Sequence, residues 1–199
     1  GSGVSHIIGT GSRDVSLEVG GLTMMAGLDL LESDPATRVV VIVAKPPHPE
    51  TAKRILGRAS LIQKPVVVCF LGAKSTMMDD LRAVHAETLE AAAIEAVSLA
   101  EKTNINDVRL AITLAGGNQQ DVIDREAQQL ASSQHFVRGL YCGGTFACEA
   151  ALVLQPLVGE VSGNFEAAGI RRINNMTKSE GHTILDLGDE NFTLGRPHP

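Results

Sequence analysis

The chain has 199 residues, 44% of them hydrophobic and 20% charged, and its 17 basic and 23 acidic residues give a formal net charge of -6. This composition is typical of a folded globular protein, and the small basic share argues against nucleic acid as a partner. Because no apolar stretch reaches the roughly 20 residues that span a membrane, and the cysteines lack the Cys-x-x-Cys spacing of a zinc site, the sequence predicts a cytoplasmic protein without a structural metal or a membrane partner.

The first hundred residues alternate between strand and helix patterns. Residues 4–8 form a β-rich run that ends in glycines, and apolar residues then recur at helical spacing over residues 22–31. Unbroken aliphatic runs at residues 39–44 and 66–71 are typical of strands buried on both faces of a parallel sheet, and a proline-initiated helix through Ile62 is predicted between them. This β-α-β-α-β order predicts a flavodoxin-like, doubly wound parallel sheet.

The rest of the chain is predicted to be α/β as well. An Ala-, Leu- and Glu-rich helix is expected over residues 78–100, and we place a domain boundary after it, between a flavodoxin-like domain (residues 1–103) and a second, smaller α/β region (residues 104–199). The predicted elements of that region are a strand at 136–141, a helix at 146–154, a strand at 183–187, and a strand or helix at 108–114. Since the sequence ends in a loop with nothing to close it, we expect an internal fragment whose second region is incomplete.

In a doubly wound sheet, ligands bind beyond the carboxyl ends of the strands. In the first region these ends are residues 9–14, 44–47 and 72–76, and we expect the three loops to converge on one crevice. Glycines would let backbone N–H groups approach a phosphate or carboxylate, and Arg13 could clamp it; a surface turn in which Arg13 pairs with Asp14 is the alternative. The binding candidates here are Gly9, Thr10, Gly11, Ser12, Arg13, Asp14 and Lys45.

A second glycine loop follows the strand predicted at residues 136–141. Thr145 is expected to cap the next helix while Gly143 and Gly144 leave N–H groups free for an oxyanion, although capping alone would explain Thr145. Cys142 beside this loop fits a small buried thiol better than a nucleophile.

Ionisable side chains crowd the loop after the last predicted strand. The acids could orient an amide nitrogen or bind a metal, Arg196 could hold a carboxylate, and His198 could act as general acid or base. A solvated charged loop is the alternative. We take Asp189, Arg196 and His198 as catalytic candidates and Asp186 as a substrate-binding candidate.

Several segments together resemble a known family. They are residues 3–14, 45–47, 140–145, 185–193 and 195–199, and they are similar to the FdrA proteins, which share a domain with the succinyl-CoA synthetases. The resemblance implies an enzyme subunit for an acyl- or carbamoyl-phosphate-type substrate, most concretely an oxamate carbamoyltransferase subunit in allantoin breakdown. It further implies CoA, ATP or ADP, or carbamoyl phosphate as small-molecule substrates, and other enzyme subunits or a homo-oligomer as partners.

The chain departs from the synthetase pattern at one loop. Synthetases carry a phosphorylatable histidine in a Gly-His-Ala-Gly loop after the strand that corresponds to residues 66–71, whereas residues 72–78 contain no histidine. The next one, His85, falls within the predicted long helix, which is no place for a swinging phosphohistidine. The transferase interpretation is therefore favoured over an NDP-forming acyl-CoA synthetase and over a noncatalytic ligand-binding or assembly subunit.

Overall fold

The computed structural model describes residues 3–73, 83–117 and 119–195. Their helices and strands form a mixed α/β fold with two parallel sheets, as predicted. The elements in chain order are α1 (Leu22–Ser33), β1 (Val40–Ala44), α2 (Pro49–Leu61), β2 (Val66–Phe70), β3 (Val84–His85), α3 (Leu89–Glu101), α4 (Ile105–Ala115), α5 (Gln120–Gln129), β4 (Arg138–Tyr141), α6 (Gly144–Val158), β5 (Val161–Gly163), β6 (Arg171–Arg172), β7 (His182–Asp186) and α7 (Glu190–Thr193).

The first sheet has the strand order β1-β2-β3 and follows from the two aliphatic runs. Val40 lies opposite Val66 and Ala44 opposite Phe70, so the runs pair in parallel over their full length. Helices α1 and α2 cover one face and bury Leu28 and other apolar side chains against the strands. Helix α3 packs against β2 from the other face, which makes the sheet doubly wound. Burial of each large aliphatic side chain stabilises the fold by about 1.5–3 kcal/mol.

The second sheet has the order β4-β7-β5-β6 and shares a hydrophobic cluster with the first. That cluster joins β2, α3 and α6 to β5 and β7, and it includes the buried side chains of Val67, Leu71, Ala147, Val161 and Ile184. Helix α6 therefore packs between residues of both sheets. The boundary expected at residue 103 falls between α3 and α4.

The strand expected at residues 4–8 does not form. The segment is irregular and Ile7 is 89% exposed. It is nevertheless held to the loop before β1, because Ser5 Oγ lies 2.9 Å from Thr37 Oγ1, three residues ahead of that strand. Polar side chains thus hold the segment where a sheet ladder was expected.

The expectation that residues 39–44 are buried on both faces is also wrong. Val41 and Val43 are each 40% exposed, while Val40, Ile42 and Ala44 are buried. Strand β1 lies at the sheet edge: within the described residues, its only hydrogen-bonded strand neighbour is β2.

The long helix expected at residues 78–100 is shorter in the structure. Its first residues, up to Arg82, lie outside the described part of the chain, and Val84 and His85 form β3 beside β2. Helix α3 starts only at Leu89, because the Thr88 hydroxyl accepts a hydrogen bond from the Ala91 N–H group at 3.0 Å and so caps it. Residues 108–114, for which strand and helix were both open, belong to helix α4.

Candidate functional site

The carboxyl ends of β1, β4 and β7 face one cleft with a volume of about 480 Å³. Loops from both regions line it, as expected for the strand ends of parallel sheets. The predicted site residues found in its lining are Gly9, Thr10, Gly11, Ser12, Lys45, Gly143, Gly144, Thr145, Asp186 and Asp189.

An ion pair joins the two sheets inside the cleft. Lys45 directly follows β1 and Asp186 is the last residue of β7, and Lys45 Nζ lies 3.5 Å from Asp186 Oδ2. The side chains are 33% and 8% exposed, so this pair is partly shielded from solvent. The other carboxylate oxygen, Asp186 Oδ1, accepts a hydrogen bond from the Gly188 N–H group at 3.0 Å.

The start of helix α6 lies against this ion pair. A side chain on Gly144 would overlap the Lys45 ammonium group, and its Cβ would lie 2.5 Å from Asp186 Oδ2. Only glycine therefore fits without displacing the pair. The first backbone N–H groups of this 15-residue helix consequently lie next to a lysine ammonium group, an arrangement that favours a bound anion.

The prediction that Thr145 caps α6 is wrong. The N-cap residue is Gly143, and none of the described side chains supplies a capping hydrogen bond. Helix α6 starts at Gly144, two residues earlier than the hydrophobic pattern indicated.

Arg13 follows the lining residue Ser12 and pairs with Glu190, which also lines the cleft. Arg13 Nη2 donates a hydrogen bond to Glu190 Oε1 at 2.7 Å, although the two side chains are 84% and 74% exposed. This hydrogen bond raises the pKa of the Arg13 guanidinium. The alternative in which Arg13 pairs with Asp14 does not occur.

Asp14 has a structural role. Its side chain is buried, and its carboxylate accepts hydrogen bonds from the N–H groups of Thr23 and Met24 at 2.8 and 2.9 Å. Both groups belong to the first turn of α1, so Asp14 satisfies donors that would otherwise lack a partner. This capping explains Asp14 without a ligand, and its predicted contact with a ligand stays a prediction.

Of the three catalytic candidates, one belongs to the described residues. Asp189 lines the cleft and caps the short helix α7, since its Oδ1 atom accepts from the Asn191 N–H group at 2.9 Å. Arg196 and His198 lie outside the described residues.

Two further features of the cleft were not anticipated. Cys142 is exposed and lines the cleft, so the expected burial of its thiol is wrong. Asn164 is buried and binds the backbone of Asp186 twice: its Oδ1 accepts from the Asp186 N–H group at 2.8 Å, and its Nδ2 donates to the Asp186 carbonyl at 2.9 Å. Its place directly after a strand end was the available signal, but β5 has only three residues and was not predicted.

The described residues of the third loop that was expected at this crevice, residues 72–76 after β2, do not line the cleft. Gly72 and Ala73 line a second cavity of about 320 Å³ with His85 and Glu149, and residues 74–76 fall outside the described ranges. Two of the three loops expected at one crevice therefore meet there. The buried Nε2 atom of His85 has no hydrogen-bond partner among the described residues.

The described parts of the chain hold no group of three or more His, Cys, Asp or Glu side chains that could bind a metal ion. A helix long and apolar enough to cross a membrane is likewise absent from those residues.

Comparison with known proteins finds sequence similarity to a relative but no matching family model. The chain is 39% identical over 199 residues to the uncharacterized protein YahF of Escherichia coli (strain K12). The match covers 100% of this chain and 38% of the relative, so the chain is similar to well under half of that longer protein.

Proposed function

We propose that the chain is part of an FdrA-type enzyme subunit whose cleft binds an acyl- or carbamoyl-phosphate-type substrate. The most concrete form is an oxamate carbamoyltransferase subunit in allantoin breakdown. One observation carries the proposal: the Lys45 ammonium group and the first turn of α6 lie together, at a contact that only Gly144 permits.

Both groups favour a phosphate for physical reasons. The helix start carries a partial positive charge and N–H donors, and Lys45 adds a full charge with two further N–H donors beside the one aimed at Asp186. When a carbamoyl group moves from carbamoyl phosphate to an amide nitrogen, a new N–C bond forms and the C–O bond to phosphate breaks. Phosphate leaves with the electron pair, and the amide nitrogen gives up one proton to the phosphate or to water. Fixed positive charge at this point would stabilise the leaving phosphate.

The wider activity depends on more than this chain, which matches 38% of the length of its relative. We propose that small-molecule substrates bind the cleft and that other enzyme subunits or a second copy complete the active protein. We also propose a cytoplasmic setting, which agrees with three free cysteines, Cys69, Cys142 and Cys148.

A second function is supported by His85. The sequence argument against an NDP-forming acyl-CoA synthetase put this histidine within a helix, whereas it lies in β3 beside the cavity that Gly72 also lines. An acid-labile phosphate on His85 in the intact protein, together with CoA binding, would support the synthetase over the transferase.

A thermal-shift panel on the intact protein tests the proposal, because a ligand that binds the native state raises the unfolding midpoint. The ligands are carbamoyl phosphate with and without oxamate, CoA, and Mg-ATP. We expect stabilisation by carbamoyl phosphate and its loss in Lys45→Met, with Lys53→Met as the control because Lys53 pairs with Glu50 on the surface. Stabilisation by CoA and nucleotide alone would favour the synthetase, and no shift with any ligand would favour a noncatalytic subunit.

A further inference from the structure

We propose that Asp186, held in place by Asn164, selects ligands that carry an N–H donor next to their anionic group. This inference rests on the proposed function, because it needs an anion bound at Lys45 and the start of α6. It adds a specificity residue and a positioning residue to that site.

The carboxylate of Asp186 has hydrogen-bonding capacity left. Its side chain is 8% exposed, Oδ1 accepts from the Gly188 N–H group, and Oδ2 faces Lys45 Nζ at 3.5 Å. An ionised carboxylate offers about four acceptor sites. Since Asp186 lines the cleft, an N–H group of a ligand can fill a site that the protein leaves open.

Asn164 fixes where that carboxylate lies. It directly follows β5, which pairs with β7, and its amide group exchanges two hydrogen bonds with the Asp186 backbone. Asn164 is 6% exposed and Asp186 is also buried, so solvent competes little with these bonds. The amide group thus extends the strand pairing to the residue that carries the carboxylate.

Each charge of the ion pair recognises a different part of the ligand. Lys45 and the N–H groups of α6 attract the anionic oxygens. Asp186 repels a second anionic group and accepts a hydrogen bond from an N–H group, whereas a methyl group in the same place would leave the open acceptor site of the buried carboxylate unfilled. A carbamoyl phosphate meets both requirements and an acetyl phosphate meets only the first.

Carbamoyl phosphate and acetyl phosphate make the matched test, because they differ in an amino group against a methyl group. The dissociation constants of both, and of inorganic phosphate, are measured by calorimetry on the intact protein. We expect the wild type to bind carbamoyl phosphate about ten- to a hundredfold more tightly than acetyl phosphate. Asp186→Asn, which keeps the shape and removes the charge, should bring this ratio toward one.

Asn164→Ala tests the positioning role. It should lower the carbamoyl-to-acetyl ratio while inorganic phosphate still binds, a change that general loss of stability would not produce. If Asn164→Ala fails to fold, Asp186→Asn decides alone. Equal binding of the two phosphates to the wild type, or a ratio that Asp186→Asn leaves unchanged, would overturn the inference and leave the proposed function standing. If none of the phosphates binds, the proposed function itself fails.

Discussion

Two ion pairs connect the first region of the chain to the second, and they differ in depth. The inner pair, Lys45 with Asp186, has side chains that are 33% and 8% exposed; the outer pair, Arg13 with Glu190, has side chains that are 84% and 74% exposed. In both, the first region supplies the cation and the second the carboxylate. Since solvent screens exposed pairs, the inner pair should control binding and the outer pair should only modulate it.

Gly144→Ala should have the largest effect, because it breaks the inner arrangement. The new Cβ would meet both Lys45 and Asp186, so the end of the lysine side chain would have to shift from its place beside the start of α6. We expect phosphate affinity to fall by about a hundredfold, the equivalent of about 2.7 kcal/mol. Calorimetric titration of the intact protein measures it.

Gly143→Ala is the matched control for that change. A Cβ at position 143 would meet no described atom closer than Phe146 Cδ2, at 3.9 Å, and Gly143 has extended backbone at φ 164. Equal losses in the two variants would mean that the loop as a whole, and not the contact with the inner pair, determines affinity.

The loss of stability in Asp14→Ala, where the carboxylate is buried, can be compared with that in Arg13→Ala, where the neighbouring side chain is exposed. Two N–H groups of α1 would lose their acceptor, so the free energy of unfolding should fall by about 1–3 kcal/mol. Urea denaturation measures this loss. Arg13→Ala should leave the midpoint unchanged within error, and a larger loss there than in Asp14→Ala would reverse the assigned roles.

The three cysteines also differ in burial: Cys69 and Cys148 are buried, and Cys142 is exposed. Burial raises the pKa of the Cys69 thiol from 9.0 to about 11, and burial also raises the pKa of Cys148. Iodoacetamide at pH 8 should therefore modify exposed Cys142 first, and a phosphate ligand in the cleft should slow this reaction. Labelling of Cys69 ahead of Cys142 in the folded protein would contradict the structure.

The Cys69 shift also predicts how stability depends on pH. Its thiol ionises near pH 9 when unfolded and near pH 11 when folded, so the unfolded chain binds fewer protons between these values. The free energy of unfolding should fall as the pH rises from 9 to 11, and less so in Cys69→Ala. Denaturation curves of both proteins at the two pH values measure the difference.

Glu190→Gln should have the smallest effect. It releases Arg13 from its partner while keeping the side-chain shape, so the freed guanidinium can add to the attraction for an anion. We expect a severalfold gain in phosphate affinity that weakens with added salt. Glu166→Gln, which breaks the exposed pair with Arg172, is the control and should change nothing.

Much of the first sheet could be predicted from the sequence, because β1 and β2 are aliphatic runs flanked by prolines or polar turns. The strand predicted at residues 4–8 was wrong. Their alternation is typical of a strand, yet Ser5 and His6 bind Thr37 and Asp34 through their side chains. Such polar contacts between residues far apart in the sequence hold the segment without a sheet ladder and leave no mark in the hydrophobic pattern.

The position of the site could be predicted from the rule that ligands bind at the carboxyl ends of parallel strands, whereas the contacts within the site could not. Lys45 was a candidate because it follows a predicted strand, and Asp186 because it belongs to the crowd of ionisable side chains at the end of the last predicted strand. The cleft lies at those strand ends. That they pair across 3.5 Å depends on how the two sheets pack about α6, which no local pattern encodes. Asn164 was missed for the same reason, since its contacts with Asp186 arise from the pairing of β5 with β7.

The central claim is that an anion binds between Lys45 and the first turn of α6. The most direct test is an NMR titration of the intact protein, labelled with ¹⁵N-glycine, with carbamoyl phosphate. We expect the amide resonance of Gly144 to shift on binding and Lys45→Met to abolish the shift. A shift confined to Gly72, which lines the second cavity, or no shift at Gly144 at saturating ligand, would contradict it.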